Sequence, residues 1–182
     1  DLNEKQMKKA CDLLAAVLSP QGYGKVRNIP LADDRLLRNG QRRPGFGAED
    51  YWLAIFGEPS ATGKWAIQFD GHHLAVNLTF QGKRMSMSPT FIGTQPREFK
   101  LGKDKVVPMS GEAPAALALL QSLDDKQQKI ARVGDRRRNI VTAAGKDGFV
   151  PAPLGLPGKS LNANQRTSLI SLLGEYVGDL PK

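Results

Sequence analysis

Apolar residues along the chain follow two rhythms. Near the start, Met7, Ala10, Cys11, Leu14, Val17 and Leu18 recur at three- and four-residue steps, the period of an amphipathic helix. Asn3 precedes this run as an N-cap, and Gln6 stands at the capping-box position. Leu2 and Met7 can close a hydrophobic staple over the first turn. Ser19-Pro20-Gln21-Gly22 then ends the helix. The same start signal returns at Asp124 with Gln127, and at Asn162 with Gln165. The last copy predicts a helix with Leu169, Ile170, Leu172, Leu173 and Val177 as its buried stripe. Residues 114–120, rich in Ala and Leu, predict a short helix with Pro114 in its first turn, ending near Ser122.

Between these ends the rhythm changes to two. Residues 51–56, 64–69, 72–80 and 83–88 read as four strands, separated by turn-forming segments with no helical pattern between them. Asp70-Gly71 is a two-residue hairpin turn of the strongest type. The fold class is therefore α+β, a central antiparallel β-meander flanked by N- and C-terminal helices. Residues 25–50 are mixed: 33–37 read as a helical turn, and 38–48, rich in Gly, Arg and Pro, as a loop. Residues 145–160 read as an extended connector. The 182 residues are enough for a single domain, 1–182.

A two-residue turn at Asp70-Gly71 sets Phe69 opposite His72, Ile67 opposite Leu74 and Trp65 opposite Val76, and this face is the core. Gln68 then lies opposite His73 on the other face, with Asn77 two places along and Asp70 at the rim. Strand alternation would point His72 and His73 to opposite faces, so a regular hairpin would not let both hold one metal. A bulge at Gly71 would change that. His73 is the candidate acid–base group, with Asp70 beside it, and His72 and His73 are the candidate metal ligands. Gln68, Asn77, Trp52 and the Arg42-Arg43 loop are the candidate ligand-binding residues. Against this stands a structural reading, in which the histidine is a hydrogen-bonded part of the sheet surface and Asp70-Gly71 is turn chemistry alone.

Composition narrows the classes. The net charge is +8 and the pI about 9.7. The basic residues are spread along the chain, Arg42-Arg43 and Arg136-Arg137-Arg138 being its arginine clusters, and no aromatic-basic platform accompanies them. This disfavours nucleic acid as a partner. One cysteine, Cys11, excludes an internal disulfide and a cysteine zinc cluster. No Gly-x-Ser-x-Gly elbow or phosphate loop occurs, and no apolar run reaches transmembrane length. The chain begins at Asp1 rather than Met, as after removal of a leader or in a fragment.

Phe56-Gly57-Glu58-Pro59-Ser60, Trp65, Gly71-His72-His73-Leu74, Asn77 and Pro89-Thr90-Phe91-Ile92-Gly93-Thr94-Gln95-Pro96 together resemble the pattern of domain-of-unknown-function family 3500, across nearly the whole chain. The resemblance implies a secreted or periplasmic setting. It also implies a further histidine-bearing segment C-terminal to these residues, so the chain is expected to be either the N-terminal part of a longer member or a short member with a different role. It implies no specific activity. Two functions follow as expectations. One is an enzyme built on the Gly-His-His hairpin with a divalent metal as cofactor. The other is an extracytoplasmic binding module for a small molecule, peptide, glycan or anionic ligand, with the histidines structural.

Overall fold

The computed structural model describes residues 2–38, 45–134, 145–146 and 148–181. Two compact units carry the contacts, one of Asp1–Ser110 with Glu175–Lys182, the other of Gly111–Gly174. In the first unit, helices α1 (Glu4–Val17) and α2 (Pro20–Arg38) precede strands β1 (Trp52–Phe56), β2 (Lys64–Asp70), β3 (Leu74–Gln81) and β4 (Arg84–Ile92). The strands pair antiparallel in the order β1-β2-β3-β4. The class is α+β with a β-meander, as the two rhythms of the sequence require. A small hairpin follows, β5 (Phe99–Leu101) and β6 (Asp104–Val106).

The core lies where the inner face of the meander meets the two helices. Ile67, Leu74, Val76 and Leu78 pack with Leu14, Leu18, Val26 and Ile29, and each is at most 5% exposed. Side chains of this size contribute about 1.5–3 kcal/mol each when fully buried. The single helical turn expected at 33–37 is overturned: α2 runs unbroken for 19 residues. Pro20 opens it, where the missing N–H would have no partner in any case. Gly22, Lys25, Val26, Ile29, Pro30, Ala32, Asp33 and Leu36 form its buried stripe. Lys25 and Asp33 break the apolar count, and the glycines and Pro30 mimic breakers, so the helical period is masked in the sequence.

The hairpin register also differs from the two-residue turn. Phe69 pairs with Val76, Ile67 with Leu78 and Trp65 with Phe80. The partners have moved by four positions along β3. An even slip leaves every side chain on its expected face, so the core face is as read while each cross-strand partner changes. Gln68 stands opposite Asn77 rather than His73. Strand β4 reaches beyond 88 to Ile92 through an irregularity between Val76 and Leu78. Asn77 sits there and its Nδ2 donates to the Pro89 carbonyl at 2.7 Å.

All three capping boxes form. Asn3 and Gln6 exchange bonds at 2.9 and 3.0 Å, Asp124 and Gln127 at 3.1 and 2.8 Å, and Asn162 and Gln165 at 3.0 and 2.9 Å. In the second unit, α3 (Glu112–Ser122) and α4 (Asp125–Ala131) precede α5 (Ala163–Val177), whose last three residues fall in the first unit. Between these helices the two box glutamines also bond each other, Gln165 Nε2 donating to Gln127 Oε1 at 2.8 Å and to the Ser122 carbonyl at 2.7 Å. One amide thus joins the end of α3 to the starts of α4 and α5. The expected stripe of α5 is a correction: Ile170, Leu173 and Val177 are 68%, 51% and 68% exposed, and only Leu169 and Leu172 are half-buried. Among the described residues nothing covers that face.

The last residues of the first unit return to α2. Asp179, 2% exposed, pairs with Lys25, 4% exposed, at 2.8 Å. Gln21 Nε2 donates to Asp179 Oδ1 at 3.0 Å, and Ser19 N donates to the Asp179 carbonyl at 3.0 Å. A Cβ on Gly22 would collide with the Asp179 main chain, so glycine is what lets the backbones approach. Removing one partner of a buried pair strands the other. Lys25→Met is expected to cost about 3–5 kcal/mol in urea denaturation. Lys25→Met with Asp179→Leu should recover most of that loss, and a single variant as stable as wild type would show that the pair is not sealed from water.

Candidate metal centre at the junction of α2 and the β2–β3 loop

Asp33 occupies the inner stripe of α2, four residues after Ile29 and three before Leu36. Its side chain is fully buried, at 0% exposure. A carboxylate removed from water must be hydrogen-bonded, because the uncompensated charge costs far more than a fold can spare. Two partners meet it. The Tyr51 hydroxyl donates to Oδ2 at 2.5 Å, and His73 Nδ1 lies 2.5 Å from Oδ1. His72 Nδ1 is 3.6 Å from the same Oδ1, too far for a hydrogen bond and close enough to share a small ion.

The loop 71–73 makes this possible. Strand pairing stops at Asp70 and Ala75, so neither histidine is held to strand alternation. The expectation that His72 and His73 diverge is therefore overturned: both imidazoles turn toward Asp33. The loop is pinned by its main chain, Gly71 N donating to the Leu74 carbonyl at 2.8 Å and Gly93 N to the His73 carbonyl at 2.7 Å. Gly71 serves a steric need as well. A Cβ there would lie 2.7 Å from the Tyr51 ring, so only glycine admits the phenol to its place over the carboxylate. Phe46 stacks on His72 at 3.9 Å between ring centroids, and His72 lies 3.9 Å from His73.

The electrostatics follow from this placement. Burial first, and then the hydrogen bond to Asp33, push the Tyr51 hydroxyl well above its ordinary range. It therefore stays a donor. Burial first, and then the neighbouring His73, hold His72 below the usual imidazole range, with Asp33 opposing. That favours the neutral ring, the form able to ligate a metal. The side chains of His72 and His73 are 29% and 18% exposed, so the buried carboxylate is capped by imidazoles that reach solvent.

Asp33, His72 and His73 each offer a ligand atom, and the three atoms lie within 4.8 Å of one another. Two imidazole nitrogens and one carboxylate oxygen suit zinc or another first-row divalent ion, and three protein ligands leave positions for water or substrate. The other residues singled out in the sequence are placed elsewhere. Asp70 accepts from Gln68 Nε2 at 3.1 Å, and Asn77 is engaged by Pro89. Gln68 and Asn77 are cross-strand neighbours, while His73 turns away from them to Asp33. Trp52 is 59% exposed on edge strand β1, opposite Asp70. Arg42 and Arg43 lie outside the described residues. Asp33 and Tyr51 went unread. Their signal was a polar residue at helical spacing within Val26, Ile29, Ala32 and Leu36, legible only once 20–38 is taken as one helix.

The profile of the family described as "Protein of unknown function (DUF3500)" matches residues 1–182, the whole chain. The chain belongs to this family. Curated proteins and solved structures give no match. The family description names no activity and leaves the chemistry to the geometry of the centre.

The phenol of Tyr51 is a structural donor on this reading. Tyr51→Phe should leave the ring packing intact and deprive buried Asp33 of one bond. The expected loss is about 1–3 kcal/mol in urea denaturation, and unchanged stability would show that Asp33 does not depend on the hydroxyl.

Proposed function

We propose that the chain binds a divalent transition-metal ion through Asp33, His72 and His73, and that this centre belongs to a metal-dependent enzyme. The observation that carries the reading is the convergence of two imidazole nitrogens on one oxygen of a fully buried carboxylate. Tyr51, bonded to the other oxygen, would orient the carboxylate, as outer-shell partners do in metal sites. When bound, the ion would supply Lewis acidity, polarising a substrate oxygen or activating water. The chain's own groups would fix the ligands and shield one side of the centre: Phe46 over His72, Tyr51 over Asp33. His73 as acid–base group belongs to the metal-free variant of the same proposal, with Asp33 orienting the ring as in other carboxylate–imidazole pairs. Asp70 accepts from Gln68 Nε2 and is not among the three proposed ligands.

Metal content of purified protein and titration of the metal-stripped protein with Co2+, followed by its visible spectrum, test the proposal. One ion per chain is expected. Asp33→Asn, His72→Ala and His73→Ala should each lower affinity at least about 100-fold, and Tyr51→Phe by about 10–100-fold. If no ion binds, or the histidine variants change thermal stability alone, the cluster is a structural hydrogen-bond network.

A second reading, a binding module, draws on the outward face of the sheet. Exposed Trp52 lies across from Asp70, and Gln68 across from Asn77, on that face. An aromatic surface beside amides and a carboxylate suits a glycan or peptide. Titration of oligosaccharides against Trp fluorescence would show quenching lost in Trp52→Ala and kept in His73→Ala. Equal responses from wild type and Trp52→Ala would exclude that face.

A further inference from the structure

Beneath β1 and β2, on the side of the sheet facing the helices, α1 and α2 help line a partly open cavity of about 130 Å3. Its wall is apolar: Ala10 and Leu14 come from α1, Val26 from α2, Leu53 and Phe69 from the sheet. The Tyr51 ring closes one side. That ring cannot swing inward to fill the space, because its hydroxyl is bonded to Asp33 and Gly71 packs flush behind it. The void is therefore held open by the same contacts that build the centre. An apolar space gives water too few polar partners to be a good host, and a cavity of this size accommodates a benzene-sized molecule.

The lining is not uniformly apolar. Among the described residues that form it, Arg27 carries the one charge. Arg27 is exposed, as are Leu2 and Met7, which belong to the same rim at 47% and 46% exposure. A guanidinium beside an apolar chamber matches a ligand with an apolar body and a carboxylate end, since Arg offers a planar fork to carboxylates. The net charge of +8 favours the approach of such an anion.

We infer that this cavity binds a small amphipathic carboxylate, an aromatic or short branched acid, with its apolar body between α1 and the sheet and its carboxylate on Arg27. The inference does not rest on the metal, since none of the proposed ligands Asp33, His72 and His73 lines the cavity. Tyr51 is the one residue common to both sites.

Benzoate, benzyl alcohol and toluene are the probes, followed by ligand-observed NMR on the full chain with excess chelator present. Benzoate should bind more tightly than benzyl alcohol by about fivefold, the scale of one exposed ionic contact. Arg27→Gln should abolish that preference while leaving toluene binding unchanged. Ala10→Leu, which adds volume at a buried wall position 7% exposed, should weaken all three probes. Cys11, also in the lining, gives a second readout: benzoate should slow its reaction with a thiol reagent in wild type. The inference is overturned if none of the three probes binds at millimolar concentration, or if Arg27→Gln leaves the benzoate preference intact. Binding unaltered in a folded Ala10→Leu variant overturns it too. Should Ala10→Leu fail to fold, Arg27→Gln and Cys11 protection decide. Chelator keeps the outcome separate from the metal proposal, which fails or stands on its own variants.

Discussion

A carboxylate with no access to water organises the first unit. Asp33 faces the core from the middle of α2, and both of its oxygens are met from other parts of the chain. The carboxylate sets several local features at once. Helix α2 must continue through residue 33 to present it. Tyr51, just before β1, must bring its hydroxyl over Oδ2, which in turn demands glycine at 71. The β2–β3 connection must be long enough to swing His73 inward, and Gly93, beyond the end of β4, holds that connection by its main chain. The strand pairing and the loop length follow from the need to satisfy one buried charge.

A comparison within the same unit shows what sets this carboxylate apart. Asp179 is equally buried, but its partner Lys25 is buried as well. That pair is sealed within the fold, where Gln21 also bonds the Asp179 carboxylate, and it ties residues near 179 to α2. Buried pairs of this sort contribute little net stability against apolar substitutes and are costly to break by halves. Asp33 instead is capped by imidazoles that keep an edge in solvent. The first arrangement is a fastening. The second leaves a route from solvent to a buried negative charge, which an ion or a proton can use.

Local signals were legible in the sequence, and distant ones were not. The capping boxes could be read because their two partners are three residues apart. The meander could be read because alternation and turn residues are neighbours, and the even slip in register preserved the faces even though the loop length was misjudged. Helix α2 was obscured because Gly22, Gly24 and Pro30 look like breakers and because two inward positions carry charge. Yet Pro20 suits a first turn, Gly22 is demanded by the Asp179 backbone, and Lys25 and Asp33 have partners 154 and 40 residues away. The stripe of α5 failed in the opposite sense: apolar spacing alone does not say what covers a face. His72 and His73 stand out as residues, but the group that joins them, Asp33, lies in a stretch that reads only as a single helical turn, so its inward face is not apparent.

His72 is where the structural and chemical readings part. A hydrogen-bond network around Asp33 is complete with Tyr51 on one oxygen and His73 on the other. It has no need of a second imidazole. His72 nonetheless stands 3.6 Å from Oδ1, without bonding it, between Phe46 and His73. Burial and its neighbour disfavour its protonation, so it is poorly suited to neutralise Asp33 as a cation. Stacking on Phe46 would be served as well by any aromatic ring. What an imidazole adds over a phenyl ring at this place is a nitrogen lone pair near a carboxylate oxygen and a second imidazole, and a lone pair there is of use chiefly to an electrophile, whether metal ion or proton. The buried Asp33 explains why His73 is a histidine. An electrophile held between residues 72 and 73, as proposed above, would give the imidazole of His72 a use that a phenyl ring could not serve.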